Sequence, residues 1–299
     1  MPSVATPSVS AAHTRTRGYA AGPWQVGDLA MLDPDTLYAL ICEEGPLAWR
    51  IPTRGESGGF SSRVAAHQYR TVLGILDNEL AGKPASRVLD WGCGAAAHSY
   101  AIAHEGHLVW GMDFEEPPMA GYVAEHTEGR FTFTQSKHPT ELPFDDAFFD
   151  VVLSNGCLEH VTETGGKDED CMRELVRVLK PGGAFVCAHL PNEGSYIEAV
   201  ARVLRGPVRK HLHYPLYAHV SLYSRARVEE LAAGCGLSVT EFVTYGALPR
   251  NPLSLLPRQV SDASWFVDGV DRFDDWLATV LERYCQNFAW VGRALDHPR

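Results

Sequence analysis

An α/β fold, with a mostly parallel sheet covered by helices on both faces, is what this 299-residue sequence predicts. Three observations carry the prediction. From residue 86 onward, short apolar runs alternate with segments of helical period, the pattern of a parallel sheet with right-handed crossovers. A turn of small residues, VLDWGCGAAAHS at 88–99, joins the first run directly to a helix. The segment EDCMRELVRVLKPGG reads as a helix closed by a Pro-Gly-Gly stop before another apolar run. A hydrophobic content of 45% at this length supports one full core with elaborations rather than two equal domains.

The elements follow in order. Residues 1–22 are Ala, Ser, Thr and Pro with little bulk and predict a disordered tail. Their acid-free, Arg-containing makeup leaves a transit peptide as the competing reading. Residues 23–85 predict an N-terminal helical cover, with Trp24, Leu37, Leu47 and Trp49 as anchors. Within it, Ser61 or Ser62 caps a helix whose apolar face is Ala65, Tyr69, Val72, Leu73, Leu76 and Leu80, and Gly82 with Pro84 stops it. Residues 86–299 form the main domain. The runs SRVLDW, HLVWGMD, RFTFTQ, DVVLSN and GAFVCAHL are its strands, and two insertions interrupt it, at about 191–219 and 247–285. The first insertion is dense in His and Tyr and suits a lid or substrate wall. Helix SRARVEELAAGCG and strand LSVTEFVTY follow. The second insertion carries a helix with Val270, Phe273, Leu277, Val280, Leu281 and Tyr284 on one face, and QNFAWVGRA closes the chain as a strand expected to pair antiparallel.

Composition narrows the partners. A net charge of −11 without any Lys/Arg run disfavours nucleic acid, whose affinity comes mostly from neutralised phosphates. Seven scattered cysteines with no CxxC pair suit a reducing, cytoplasmic setting. No stretch has the apolar length of a membrane span, so no membrane partner is expected. A homodimer is compatible with the sequence.

The small-residue turn is where a ligand would approach bare backbone. Gly92, Gly94 and Ala97 satisfy GxGxx[GA], which alone suits a nicotinamide or flavin equally well. Asp90, ending the strand just before the turn, separates the cases, because an acid pointing into the turn would repel a pyrophosphate and favour a ligand carrying an ammonium. Asp113, twenty-three residues on at the end of the second strand, is placed to accept from both ribose hydroxyls. Cys93 sits between the glycines as a small lining residue. Together these features fit S-adenosylmethionine (SAM).

The ordered set VLDWGCG, GMDF, ELPFDDAFFDVVLSNGCLEHV, ELVRVLKPGG and HVSLYSRARVEELAAGCGLSV spans residues 88–239 and resembles the class I SAM-dependent methyltransferases, specifically the small-molecule branch with the ubiquinone/menaquinone-type enzymes. The resemblance implies a Rossmann-like fold with a seven-stranded, mostly parallel sheet and an antiparallel C-terminal strand. It also implies that Gly92 and Gly94 line the methionine part, that Asp113 binds ribose, that Phe114 stacks near adenine, and that Asn155 and Gly156 lie near the methionine amino group. Two positions depart from the family pattern. Ala96 replaces its third glycine, and His138 stands where an Asp accepts from the adenine amino group, with Gln135 or Ser136 as substitutes.

Candidate chemistry is sparser. His160, in CLEHV, follows the fourth strand and is the first candidate for a base or substrate-orienting group, against the alternative of a histidine packed under the site. His213 and Tyr214, in the first insertion, are the next, set against an ordinary polar lid. HxH at 211–213 with His219 has the outline of a metal site, but no carboxylate or Cys nearby in sequence completes a set, so no metal is expected. Arg63 is either a partner for the cofactor carboxylate or an exposed first-turn arginine. Tyr196, Tyr214, Tyr217, Tyr223, Trp265, Phe266 and Trp276 suggest a small, apolar or aromatic methyl acceptor, with O, N or C left open. Methyl transfer is the leading reading. A SAM-binding domain serving a cyclase or regulatory role and a nicotinamide-dependent oxidoreductase are the alternatives.

Overall fold

The computed structural model describes residues 33–41, 60–212 and 219–295, with backbone alone for 205–212. The expected tail at 1–22 and the anchors Trp24, Leu47 and Trp49 lie outside the described residues. Asp33 caps the first helix, α1 (Pro34–Ala39), by accepting from the amides of Asp35 and Thr36. Ser62 caps α2 (Arg63–Ala66) through the amide of Ala65. The single helix expected here is broken by a 3-10 turn at His67–Tyr69 before α3 (Arg70–Leu80) resumes. Two side chains at the break leave the helix for other elements: His67 bonds Asp35 and Asp271, and Tyr69 reaches the rings of His98 and His189.

The sheet is then assembled as β1 (Arg87–Trp91), α4 (Ala97–His104), β2 (Leu108–Asp113), α5 (Ala120–His126), β3 (Phe131–Gln135), β4 (Phe149–Asn155), α6 (Asp168–Arg177), β5 (Leu179–Pro191), α7 (Tyr196–Leu212), α8 (Arg225–Gly234) and β6 (Leu237–Tyr245). The second insertion supplies α9 (Arg258–Ser261) and α10 (Ser264–Val280), and β7 (Asn287–Ala294) closes the chain. Strand order is β3-β2-β1-β4-β5-β7-β6. The first five strands pair in parallel, and β7 runs antiparallel to both β5 and β6. This is the Rossmann-like, seven-stranded arrangement expected.

Alternation along the strands divides the core in two. Val88, Val109, Val151 and Val186 meet α3 and α4 through Leu73, Leu76 and Ile102. On the opposite face, Leu89, Trp91, Met112, Val152 and Phe185 meet α6 and α8 through Met172, Leu175 and Leu231. The carboxyl ends of β1, β2, β4 and β5 therefore share one rim, where the small-residue turn also lies.

Two sequence expectations are corrected. Lys180–Gly183 is not a stop between helix and strand. β5 begins at Leu179, paired with Phe149, and a register shift absorbs the glycines, Gly182 taking φ +71. The apolar face expected on the last helix does not face the core: Phe273, Trp276, Val280 and Tyr284 are each more than half exposed. α10 is oriented instead by its acidic side. Buried Arg250 donates to Asp271 (2.6 Å) and Asp274 (2.9 Å), and Arg70 pairs with Asp275. His67 completes the clasp, its Nδ1 at 2.7 Å from Asp271 and its Nε2 at 2.7 Å from Asp35. Arg63, held by Asp35, Ser264 and the Asp262 carbonyl, belongs to this clasp, so its proposed pairing with a cofactor is set aside.

Burial disfavours a charged His67, but the bonds to Asp271 and Asp35 outweigh it and raise the histidine pKa above its usual 6.5. Asp271 moves the other way, to about 2, because its bonds to His67 and the nearby arginines overcome desolvation. A raised histidine contributes stability that is complete below the unfolded pKa and is lost as pH rises through the folded one. A lowered carboxyl contributes above about 4 and loses it as pH falls toward 2. The melting temperature is therefore expected to decline between pH 6.5 and 9, and less steeply in His67→Gln than in the parent. Parallel slopes in scanning fluorimetry would remove His67 from the clasp's energetics.

Candidate active site

The rim is built from a turn that only small residues permit. Gly92 (φ +74) and Gly94 (φ +50) take left-handed backbone, and the amides of Gly92 and Cys93 both donate to the Met112 carbonyl (2.8 and 3.1 Å). A Cβ on Gly92 would fall 2.8 Å from the Cys157 Cβ and closer to its Sγ, so the turn lies directly against the segment leaving β4. A Cβ on Gly94 would meet nothing within 4 Å among the described residues, which leaves that side open for a ligand. Ala96, where the family has glycine, accepts φ +60 as the N-cap of α4.

The two acids flanking the turn have different surroundings. Asp90 was expected to point into the turn. It is instead buried at 2% exposure on the α4 side of the sheet, where its Oδ2 accepts from the Ser99 hydroxyl at 2.6 Å. Burial raises its pKa to about 6 despite the Ser99 bond. Asp113 ends β2 at the rim and accepts from the amides of Gly94 (Oδ2, 2.8 Å) and Phe114 (Oδ1, 2.7 Å). Phe114 is 39% exposed beside it, and Gln135 donates to its carbonyl at 2.9 Å. His138 bonds Thr140 (2.8 Å) and its carbonyl accepts from Ser136, so the loop that would face adenine is organised locally. Cys93 is buried against Gly111 with a thiol pKa driven far upward by desolvation, which makes it packing rather than chemistry.

At the end of β4, Asn155 meets a residue the sequence reading passed over. His189 takes φ +55, an unusual backbone for a side chain of its size. Its Nδ1 lies 3.0 Å from Asn155 Oδ1 and 3.0 Å from the Tyr245 hydroxyl, which also accepts from its amide at 2.8 Å. Burial lowers the His189 pKa to about 3, so its ring is neutral at physiological pH. Tyr69 packs against both His189 (5.1 Å between centroids) and His98 (4.9 Å), with Phe60 stacked on Tyr69 at 5.0 Å. Nothing in the local sequence signals this cluster, because its members come from five separate segments.

A second group follows Gly156 in a 3-10 turn at Leu158–Thr164. His160 is half-exposed, and its Nδ1 lies 3.1 Å from Glu163. Glu159 is 2% exposed, with Oε2 unbonded among the described residues, and burial raises its pKa to about 7. The rings of His160 and His219 are 5.9 Å apart, and His219 Nδ1 lies 2.8 Å from the buried Glu198. The expected histidine trio is thus redistributed. His211 lies on α7, His213 and Tyr214 fall outside the described residues, and His219 meets carboxylates from distant segments that sequence spacing did not bring together. Of the aromatics assigned to a substrate wall, Tyr223 bonds Asp168, Tyr196 bonds the Ala247 carbonyl, and Trp265 and Trp276 are exposed. Among the described residues no helix is long and apolar enough to cross a membrane.

The donor set fits SAM on the residues themselves: an open glycine turn, a carboxylate and an exposed aromatic ring at the end of β2, and an amide at the end of β4. Comparison with known proteins agrees. Residues 89–187 match the family model described as a methyltransferase domain. The chain is 33% identical over 129 residues to a ubiquinone biosynthesis O-methyltransferase of Pseudomonas aeruginosa, covering 41% of this chain and 53% of that one. It spans about half the length of the curated relatives it matches. Its fold is similar to that of the 1,6-didemethyltoxoflavin-N1-methyltransferase of Burkholderia thailandensis (TM-score 0.50, 17% identity, 88% and 86% of the two chains). It is equally similar to the [4+2]-cyclase SpnF (TM-score 0.52, 17% identity, 79% and 84%). Residues 89–187 thus carry the similarity to a methyltransferase domain, on the strand order and rim geometry of a Rossmann-like fold.

Proposed function

We propose that the protein transfers the methyl group of SAM to a small, flat acceptor by in-line displacement. The observation that carries this reading is the glycine turn with Asp113 tied to the Gly94 amide at its open side. In this reading Gly92 and Gly94 admit the methionine part, Asp113 accepts from the ribose hydroxyls, Phe114 covers the adenine, and Asn155 with Gly156 faces the amino group. Bound SAM would supply an electrophilic methyl on a sulfonium. The protein's own task is then alignment, for which orientation is worth about 7–11 kcal/mol, whereas a general base adds about 10²–10⁴ in rate. His160 is the group proposed to orient the acceptor, with His213 and Tyr214 as the further catalytic candidates.

The Phe60, Tyr69, His189 and Tyr245 rings support a flat acceptor better than the insertion aromatics do, since they gather beside Asn155. Neutral His189, fixed through Nδ1, suits hydrogen bonding to such an acceptor rather than proton storage. Its net charge of −11 supports a small-molecule rather than a nucleic-acid acceptor.

Two outcomes test the proposal. Calorimetric titration with S-adenosylhomocysteine is expected to show binding that NAD does not, and Asp113→Ala is expected to weaken it by about 2–4 kcal/mol, roughly 30- to 1,000-fold. An unchanged dissociation constant in the folded variant would withdraw the ribose assignment. Radiolabelled SAM incubated with metabolite extract should label a small product, and Phe60→Ala should raise the acceptor KM about tenfold with cofactor affinity retained, in line with ~1–3 kcal/mol of apolar contact. Cofactor binding without any labelled product would instead favour a non-methylating role.

A further inference from the structure

We propose that Glu159, His160 and His219 form a binding site for a single transition-metal dication beside the glycine turn. One ligand atom from each residue lies within 4.8 Å of the others. Two imidazoles and one carboxylate are the donor set of borderline ions such as Zn²⁺, Co²⁺, Fe²⁺ and Mn²⁺ rather than of Mg²⁺ or Ca²⁺, which favour oxygen.

Three further features distinguish the cluster from a chance gathering of polar groups. Glu159 is 2% exposed and its Oε2 has no hydrogen-bond partner among the described residues, a costly arrangement for a carboxyl group. Both histidines are held through the same nitrogen by a carboxylate: His219 Nδ1 by Glu198 at 2.8 Å and His160 Nδ1 by Glu163 at 3.1 Å. That is the outer-shell pattern that fixes the tautomer and ring orientation of metal-ligating histidines. Glu198 is itself 2% exposed and accepts from the His219 amide at 3.1 Å, so this support is rigid.

The location gives the ion a use. Gly156 separates Asn155 from the cluster, and a Cβ there would lie 3.9 Å from Glu159 Oε1. Three protein ligands leave at least one coordination position for an exogenous oxygen or nitrogen donor. On the methyl-transfer reading, from which this use but not the site itself follows, that position would hold an acceptor oxygen next to the nucleophile. The acceptor class narrows to molecules with a hydroxyl or carbonyl beside the methylated atom.

The probe is Co²⁺ alone, added to the metal-stripped full chain without SAM and followed by ligand-field absorption and calorimetry. One equivalent is expected to bind with visible d–d bands. Glu159→Gln and His160→Asn should each lower the affinity at least tenfold, and Glu198→Gln should lower it about 10–100-fold while leaving the three ligands in place. His160 is half-exposed, so its variant decides the matter if the buried Glu159 variant does not fold. Absence of one-equivalent binding in the parent overturns the site, as does binding that persists unchanged in folded His160→Asn. Titration of the same samples with S-adenosylhomocysteine reports on the cofactor reading separately.

Discussion

The approach of Cys157 to Gly92 is the constraint from which the rim follows. Two chain segments leaving adjacent parallel strands occupy the space that a single methyl group would fill. Because Gly92 has no Cβ, its amide and that of Cys93 can both turn to the Met112 carbonyl, which fixes the turn against β2. Asp113, one residue beyond Met112, is thereby set within 2.8 Å of the Gly94 amide. On the other side, Cys157 opens the 3-10 turn that carries Glu159 and His160. Cofactor pocket and histidine cluster are in this sense two consequences of one missing side chain.

The second organising feature is electrostatic. α10 presents acids to Arg250 and to His67 and Arg70 of the N-terminal segment and aromatics to the outside, the reverse of an ordinary amphipathic helix. Arg250 and Asp274 are both nearly inaccessible, so removing either would strand a charge in a poor solvent. Asp274 also accepts from the Leu248 amide, which ties the start of the second insertion to the same group. Through Asp271 to His67 and Asp275 to Arg70 the insertion is also anchored to the N-terminal segment that delivers Tyr69 to the rim. Cover and insertion are bound to each other and not merely to the sheet.

Strands and their order of appearance were legible because period-two alternation and small-residue turns are local signals, and all seven strands fall where the apolar runs stood. Asp113 and the glycines were readable for the same reason. What escaped depends on tertiary approach. His189 lies inside a strand whose sequence, CAHLP, shows neither its left-handed backbone nor the Tyr245 hydroxyl arriving from β6. Glu159 and Glu198 read as ordinary acids until the fold buries both near His219. On α10 the heptad-like aromatics masked the acids that actually determine its orientation, since periodicity identifies a stripe without saying which neighbour it meets. The broken helix at His67–Tyr69 has the same origin, two long-range partners outweighing local propensity.

Four carboxyl groups converge on the rim. Asp90, Asp113, Glu159 and Glu198 lie on or just beneath one edge, and of these Asp90, Glu159 and Glu198 are almost inaccessible to water. Each buried carboxyl has a different compensation: Asp90 a hydroxyl, Glu198 an imidazole, and Glu159 none for one oxygen among the described residues. Burial disfavours the charged form of Asp90 and Glu159, and a cation placed against such a carboxyl group offsets that cost. A sulfonium with its ammonium group fits the side of Asp113, and the proposed dication fits the side of Glu159. A pyrophosphate fits neither. The charge distribution, more than the glycine pattern, is what separates this rim from that of a dinucleotide-binding fold, where the same turn must welcome phosphate.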